Sequence, residues 1–432
     1  MTQPEARQAT RTRLLLAGAF LLHLLPFAVR PALIGGDEPH YALIAHSIAT
    51  DFDLSLRDEY EDVERGSPAA GRKRRGETLE RHVRTVGGAE VPAHPVGLPL
   101  LLAPVAALQQ ALAPGSPPDI AFGLVALLVT FAALIAGARL LAERAGSTRA
   151  GAILLFGIYF ASPLWFYSRT IFTEPFTWSF GVLAVASIAA GSFGVASAFL
   201  GLALATKETA LLLVAPVVVA AAIHSGWKKG AVLAIGPLAW AAAFVTKNLL
   251  TVGAPLSTFQ AFQTGDVVAG AAGLIADPAR GLLWFAPLLL LSIGGWLVPP
   301  RDRADRIAGW ASAAIVLGYF LVTAAWVDWR GGSSYGPRLL IPALPALAVP
   351  LARLGLARTG RGWRAALAAA ALAGFVVNWC AALDPFTAFW GPPAWELVAK
   401  NGAAAAGGAV VGAGVLWKLL SKREELSIQR HR

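Results

Sequence analysis

The sequence predicts an all-α integral membrane protein of about 12 transmembrane helices, with interfacial helices in a long first outer loop. Three observations predict it. Hydrophobic residues make up 56% of the 432 positions and charged residues 14%, with a mean hydropathy of +0.59, far from a soluble domain of this length. Several apolar runs approach or exceed the roughly 17–25 residues that a helix needs to cross a bilayer. Basic residues also sort along the chain in the way that sets membrane orientation. The net charge of +10 therefore reports topology, and no nucleic-acid partner is implied. The single cysteine, Cys380, excludes an internal disulfide and a Cys-based metal site.

The chain begins with a polar stretch carrying Arg7, Arg11 and Arg13, followed by the apolar run Leu14–Val29. Arg30-Pro31 stands where a signal peptide would have a small-residue cleavage site. The run therefore reads as a retained signal anchor with its N-terminus in the cytoplasm. Gly35-Gly36-Asp37-Glu38-Pro39-His40-Tyr41 follows on the outer face, the two glycines reading as a flexible hinge. Pro39 suits a first helical turn, where its missing N–H would be unpaired anyway. Tyr41, Ile44, Ala45 and Ile48 then recur at helical spacing, predicting a helix with one apolar face. Asp37 and Glu38 thus sit at a helix N-terminus, where the macrodipole favours their charged forms. An acidic N-cap is the plainer reading of either residue.

Residues 50–95 form one long polar tract, acidic in its first half, with Arg72-Lys73-Arg74-Arg75 at its centre. That basic run lies about 40 residues from either neighbouring span, beyond the roughly 15–20 residues over which the positive-inside rule acts. It reads as a solvated loop, or as a patch that gathers an anionic acceptor or lipid head groups. The segment 94–110 is apolar but interrupted by Pro95, Gly97, Pro99 and Pro104, and topology makes it interfacial. As a full span it would invert everything after it.

Spans are expected at 14–31, 118–141, 150–168, 176–191, 193–206, 209–225, 230–249, 279–299, 307–326, 338–356, 364–383 and 403–420, with both termini cytoplasmic. The stretch 176–206 reads as two short helices hinged at Gly191-Ser192. This arrangement puts 20 basic residues inside. They are the three N-terminal arginines with Arg139, Arg144, Arg149, Lys228, Lys229, Arg301, Arg303, Arg306, Arg353, Arg358, Arg361, Arg364, Lys418, Lys422, Arg423, Arg430 and Arg432. The short outer loops hold seven: Arg169, Lys207, Lys247, Arg280, Arg330, Arg338 and Lys400.

With this topology the chemically interesting groups share the outer rim. Asp37, Glu38 and His94 come from the first outer loop, and Arg169, Thr173 and Glu174 from a tight turn. Lys207-Glu208 sits between two short helices, and Trp326–Arg338 closes the set. Any one of these charges can simply mark a helix end, as Lys207 or Glu174-Pro175 does. Together they place carboxylates and cations on one rim bordered by aromatics and glycines. Ionisable groups close to the bilayer are costly and point to function. No P-loop or G-x-G-x-x-G opens a helix, so cytoplasmic nucleotide use has no support.

Gly36-Asp37-Glu38-x-x-Tyr41, ending a first span and opening an outer-loop helix, resembles the GT-C glycosyltransferases. The match is to family 39, the protein O-mannosyltransferase-like proteins and their bacterial relatives that add aminoarabinose to lipid A. His94-Pro-x-Gly-Leu-Pro-Leu-Leu, Arg169-Thr-x-x-Thr-Glu174-Pro and Gly332-Ser-Ser-Tyr-Gly-Pro-Arg338 agree with bacterial members. The resemblance covers most of residues 14–350. It implies a polyprenyl-phosphate sugar donor in the outer leaflet and a first-loop acid, here Asp37, that acts as base or orients the acceptor. The second-loop acid falls on Glu174, where many relatives carry Asp. It also implies a GT-C-like catalytic module over residues 1–250, including outer loop 32–117, completed by the helices of 251–432.

The expected function is transfer of a sugar from a polyprenyl phosphate to an acceptor hydroxyl on a glycan, lipid or protein, on the periplasmic or extracellular side of the inner membrane. Attack opposite the phosphate would invert the anomeric centre. The departing phosphate needs cationic or metal stabilisation, and the acceptor hydroxyl needs a carboxylate to take its proton. Asp37, Glu38 and Glu174 are the candidate catalytic acids. Tyr41, His94, Arg169, Lys207, Tyr335 and Arg338 are the candidate substrate-binding residues. Oxygen ligands from Asp37 and Glu174 would suit Mg²⁺ or Mn²⁺, but two or three basic residues can do the same work, so no metal is obligatory. The rival reading is a transporter or flippase of lipid-linked sugars, which should hold its ionisable groups near the bilayer midplane between repeats. A non-catalytic assembly protein would not need converging acids and bases.

Overall fold

The structure, a computed structural model, describes residues 17–31, 35–71, 76, 78–145, 148–255, 262–357 and 361–420. Arg7, Arg11, Arg13, the run 72–75, Arg358, Lys422, Arg423, Arg430 and Arg432 lie outside the described residues. Among the described residues the fold is helical apart from one β-hairpin. The first helix, α1 (Ala17–Val29), is pinned to the core through His23, whose ring meets Tyr159 Oη at 2.6 Å.

Helix α2 (Glu38–Thr50) forms where the periodicity places it, but it is buried on two sides. Tyr41, Ala42 and Ala45 join the main apolar core with Leu98 and Leu102. Leu43 and Ile44 turn the other way, into a small second core with Leu56, Tyr60, Val63 and Val96. The polar tract after α2 is therefore no mere solvated loop. It folds as helix α3 (Arg57–Glu64) and an antiparallel hairpin of β1 (Val83–Val86) and β2 (Ala89–Pro92), with Val83 opposite Pro92. Tyr60 and Val63 of α3, with Leu56 just before it, suffice to anchor the helix, because α2 lends them Leu43 and Ile44. Helix α4 (Gly97–Leu112) follows the hairpin and packs Leu98, Leu102 and Ala106 into the main core.

Among the described residues, six helices are long and apolar enough to cross a membrane: Asp119–Glu143, Glu208–Ser225, Trp227–Val252, Arg303–Ala325, Gly362–Leu383 and Gly402–Leu419. They mark an integral membrane protein. The other expected spans fall on shorter or broken helices, so the structure does not bear out a count of 12. After α5 (Asp119–Ala145) and α6 (Thr148–Leu155) the chain widens into a π-turn at Phe156–Phe160 and then forms α7 (Leu164–Tyr167). The expected span 279–299 is split into Leu282–Phe285, Pro287–Ser292 and a 3₁₀ turn at Ile293–Leu297. The expected span 338–356 starts as a 3₁₀ helix, Arg338–Leu347, and becomes α-helical only at Ala348–Ala357. Prolines explain both corrections. Pro287 opens a fresh helix, and Pro342 and Pro345 each remove an N–H that an α-helix would need. The stretch 176–206 does form two helices, α8 (Thr173–Ala189) and α9 (Phe193–Thr206). Gly191, at φ +77°, makes the reversal between them.

Candidate active site

Asp37 precedes α2 without capping it: its side chain accepts no hydrogen bond from the first turn. The Gly-Gly pair before it is a fixed turn and not a loose hinge. Gly36 sits at φ +61°, and a Cβ there would lie 3.1 Å from both Phe172 and Phe389. Those two rings and the left-handed backbone fix the direction in which the Asp37 carboxylate leaves the chain.

That carboxylate opens a row of alternating charges. Asp37 Oδ2 accepts from Arg338 Nη1 at 3.2 Å. Arg338 Nε lies 3.6 Å from Glu174 Oε1, and Lys207 Nζ donates to the same oxygen at 3.0 Å. The guanidinium also rests over the Phe172 ring, 4.6 Å from its centroid, a cation–π contact that supports it from below. Four separate elements build the row. Asp37 comes from the turn before α2 and Glu174 from the first turn of α8. Lys207 comes from the extended residue after α9, and Arg338 from the start of the 3₁₀ helix. Glu174 and Arg338 are the buried middle, with side chains 3% and 8% exposed, whereas Asp37 and Lys207 keep 26% each. The row thus presents one carboxylate and one ammonium to the outside, joined by a buried pair. Burial alone would raise the Asp37 carboxyl, but Arg338, His94, Lys207 and His40 outweigh it and hold the group down at about 2.

The other sequence candidates flank this row. Tyr41 is buried one turn into α2, where its N–H donates to Asp37 O at 3.1 Å, and its ring is 5.1 Å from that of His94. Burial draws the His94 imidazole down to about 4. Glu38 is fully buried and ties the start of α2 to the turn before α8. Its Oε1 accepts from Ile171 N at 3.0 Å and its Oε2 from Gly35 N at 3.4 Å. Arg169 donates to the main-chain carbonyl of Arg30 and feels the Glu38 charge; burial pulls its guanidinium down to about 10. Glu38 and Arg169 therefore brace the joint behind Asp37. Tyr335 is a strut. Its N–H donates to Tyr167 Oη at 2.7 Å, and its own Oη donates to Asn378 Oδ1 at 3.0 Å, steadying the turn that delivers Arg338.

Sequence reasoning missed Phe172, whose neighbours in the chain mark a turn but whose ring lies under Arg338. It also missed His40 and His82. These gather with His94 beside the row, each offering a ring nitrogen within 4.8 Å of the others. Arg280 was placed among the outer cations, but it holds Arg330 O and Gly332 O, both at 3.2 Å. It shapes the glycine-rich segment before Arg338.

Chemically, the row offers a carboxylate that can take a proton and two cations that can meet an anion. No family model matches the chain, and no curated protein sequence matches it. Two solved structures resemble it. One is ArnT from Cupriavidus metallidurans bound to undecaprenyl phosphate, with a TM-score of 0.53 at 15% identity over 95% of this chain and 78% of that one. The other is the same protein in the apo state, with a TM-score of 0.50 at 16% identity over 94% and 76%. The chain has the fold of ArnT, in line with the glycosyltransferase resemblance carried by its outer-loop motifs.

Proposed function

We propose that the chain transfers a sugar from a polyprenyl-phosphate-linked donor to an acceptor hydroxyl, at a site on the outer face of the membrane. The observation that carries the reading is the bridge by which Arg338 joins Asp37 to the Glu174–Lys207 pair. A similar fold in a protein bound to undecaprenyl phosphate supports the donor class.

In this reading the donor phosphate seats between Lys207 and Arg338, with its polyprenyl tail left in hydrocarbon. The acceptor oxygen attacks the anomeric carbon opposite the phosphate. The carbon–oxygen bond to phosphate breaks with its electron pair staying on the phosphate oxygen, and the configuration inverts. The acceptor proton passes to Asp37, and the two cations match the charge that grows on the leaving phosphate. Held at about 2 by Arg338, Asp37 is a weak base. A phosphate that draws Arg338 to itself loosens that pair and makes Asp37 a better proton acceptor, so donor binding prepares the base. Glu174 anchors both cations while they shift. Asp37 and Glu174 face one guanidinium between them, so the cationic residues supply the neutralisation for which Mg²⁺ or Mn²⁺ would be the alternative.

The test is comparative mass analysis of glycans and lipids from cells that lack the protein, complemented with the wild type or with Asp37→Asn. The expected result is one species, heavier by a sugar residue, that only the wild type restores. A lipid-linked sugar that changes leaflet, with every glycan and lipid unaltered in mass, would instead make the protein a transporter.

A further inference from the structure

We propose that His40, His82 and His94 form a binding site for a zinc-type divalent transition metal, which clamps the hairpin module onto helix α2, next to the turn that carries Asp37. The hairpin makes the site. His82 immediately precedes β1 and His94 lies two residues past β2. The ladder continues one step beyond the strands, with Ala93 N donating to His82 O at 3.1 Å. Two residues distant in sequence thus become neighbours, with His82 Nδ1 and His94 Nε2 2.8 Å apart. Helix α2 brings the third ring, His40, which lies 3.9 Å from His82 and 5.5 Å from His94, centroid to centroid.

The donor set fits the metal class. Imidazole suits Zn²⁺ and its neighbours, and ligand nitrogens about 2.0–2.1 Å from a tetrahedral zinc stand roughly 3.3 Å from each other. One nitrogen from each ring lies within 4.8 Å of the others, and the His82–His94 pair at 2.8 Å needs only a small opening to reach that spacing. Three protein ligands leave the fourth position to water or another oxygen. An outer partner is already in place. Tyr60 Oη lies 2.7 Å from His40 Nδ1 and takes the His82 main-chain N–H at 3.1 Å. In the tautomer that donates Nδ1–H to Tyr60, His40 would turn Nε2 to the metal, the orientation that metal-bound histidines adopt. Nothing in the proposed transfer needs this metal, so the two readings stand or fall separately.

The experiment uses the full chain, purified in detergent through a histidine-free tag, stripped with chelator and titrated with Co²⁺ and Zn²⁺. The expected result is about one equivalent of metal per chain by elemental analysis, with the visible bands of tetrahedral Co²⁺. His82→Ala and His82→Asn should abolish both signals while the protein stays monodisperse on gel filtration. Tyr60→Phe, which keeps the ring, should weaken Co²⁺ binding about 10–100-fold. A wild type without the Co²⁺ bands, or His82 variants that bind as the wild type does, would overturn the site and leave a hydrogen-bonded histidine stack.

Discussion

Arg338 and Asp37 lie 301 positions apart in the chain, yet their side chains meet at 3.2 Å, and the turn before α2 is locked to the start of a late helix by that contact. Asp37→Asn is expected to abolish sugar transfer with expression and membrane insertion near normal. Because Asp37 makes no cap bond, the substitution leaves the start of α2 intact; it removes the basic oxygen and the charge that pairs with Arg338, while the amide oxygen can still accept from the guanidinium and Glu174 still faces it. A positioned base contributes roughly 10²–10⁴-fold. Transfer above about a tenth of wild type in a purified assay would rule Asp37 out of that role.

Arg338→Ala should cost more than Lys207→Ala in stability, although both weaken the donor. Glu174 is 3% exposed, and removing Arg338 leaves it a single cation. Breaking a buried pair costs about 3–5 kcal/mol, whereas Lys207 is a quarter exposed and its loss is milder. Titration of each variant with a short-chain polyprenyl phosphate, beside thermal unfolding in detergent, checks both halves. Unchanged affinity in the two variants would move the phosphate elsewhere, with Arg169 or Arg280 next in line.

The pH profiles should separate free from loaded enzyme. With its carboxyl held at about 2, Asp37 stays ionised in the free protein throughout the working range. Its pair with Arg338 stabilises the fold above the ordinary carboxylate pKa, and that contribution fades only as pH falls through about 2. The acid limb of kcat/KM therefore should not come from Asp37. Once donor phosphate draws Arg338 away, Asp37 becomes more basic, and the acid limb of kcat should lie at higher pH than that of kcat/KM. Coincident limbs would mean the pair survives in the loaded enzyme.

Glu59 gives the module of α3 and the hairpin a pH dependence of its own. Burial, with Asp58 and Asp51 close by, raises its carboxyl to about 9, so the folded module holds a proton that the unfolded chain releases near the ordinary carboxylate value. The resulting stability is full below that value and is lost as pH rises towards 9. Glu59→Gln should flatten the dependence, with slower proteolysis of the 50–95 segment at pH 8–9. Equal proteolysis rates for variant and wild type across the range would count against a protonated Glu59.

Much of this molecule was legible in its residues, and what was not has definite causes. The spacing of Tyr41, Ile44 and Ala45 marked α2, and Gly191 marked the reversal between α8 and α9, because both are local signals. Asp37, Glu174, Lys207 and Arg338 were nominated together since charges near a bilayer are rare and each borders an apolar run. The fold of residues 50–95 stayed hidden, because Leu56, Tyr60 and Val63 are lost among acidic neighbours and their partner surface belongs to α2. His40 and His82 carried no signal of their own, as only the hairpin register brings His82 beside His94. Pro287, Pro342 and Pro345 were visible and do break their helices, but apolar run length alone counted those segments as spans.

The charge row is balanced, two acids against two bases, and that balance bears on how the proposed enzyme would let go. A donor of this class is a phosphodiester with one negative charge, while the spent carrier is a monoester holding about −1.5 to −2 near neutrality. Lys207 and Arg338 would therefore grip the empty lipid more firmly than the loaded one. Vacating the seat, rather than forging the glycosidic bond, would then pace each cycle, and a membrane slow to recycle its carrier would throttle glycosylation from the product side.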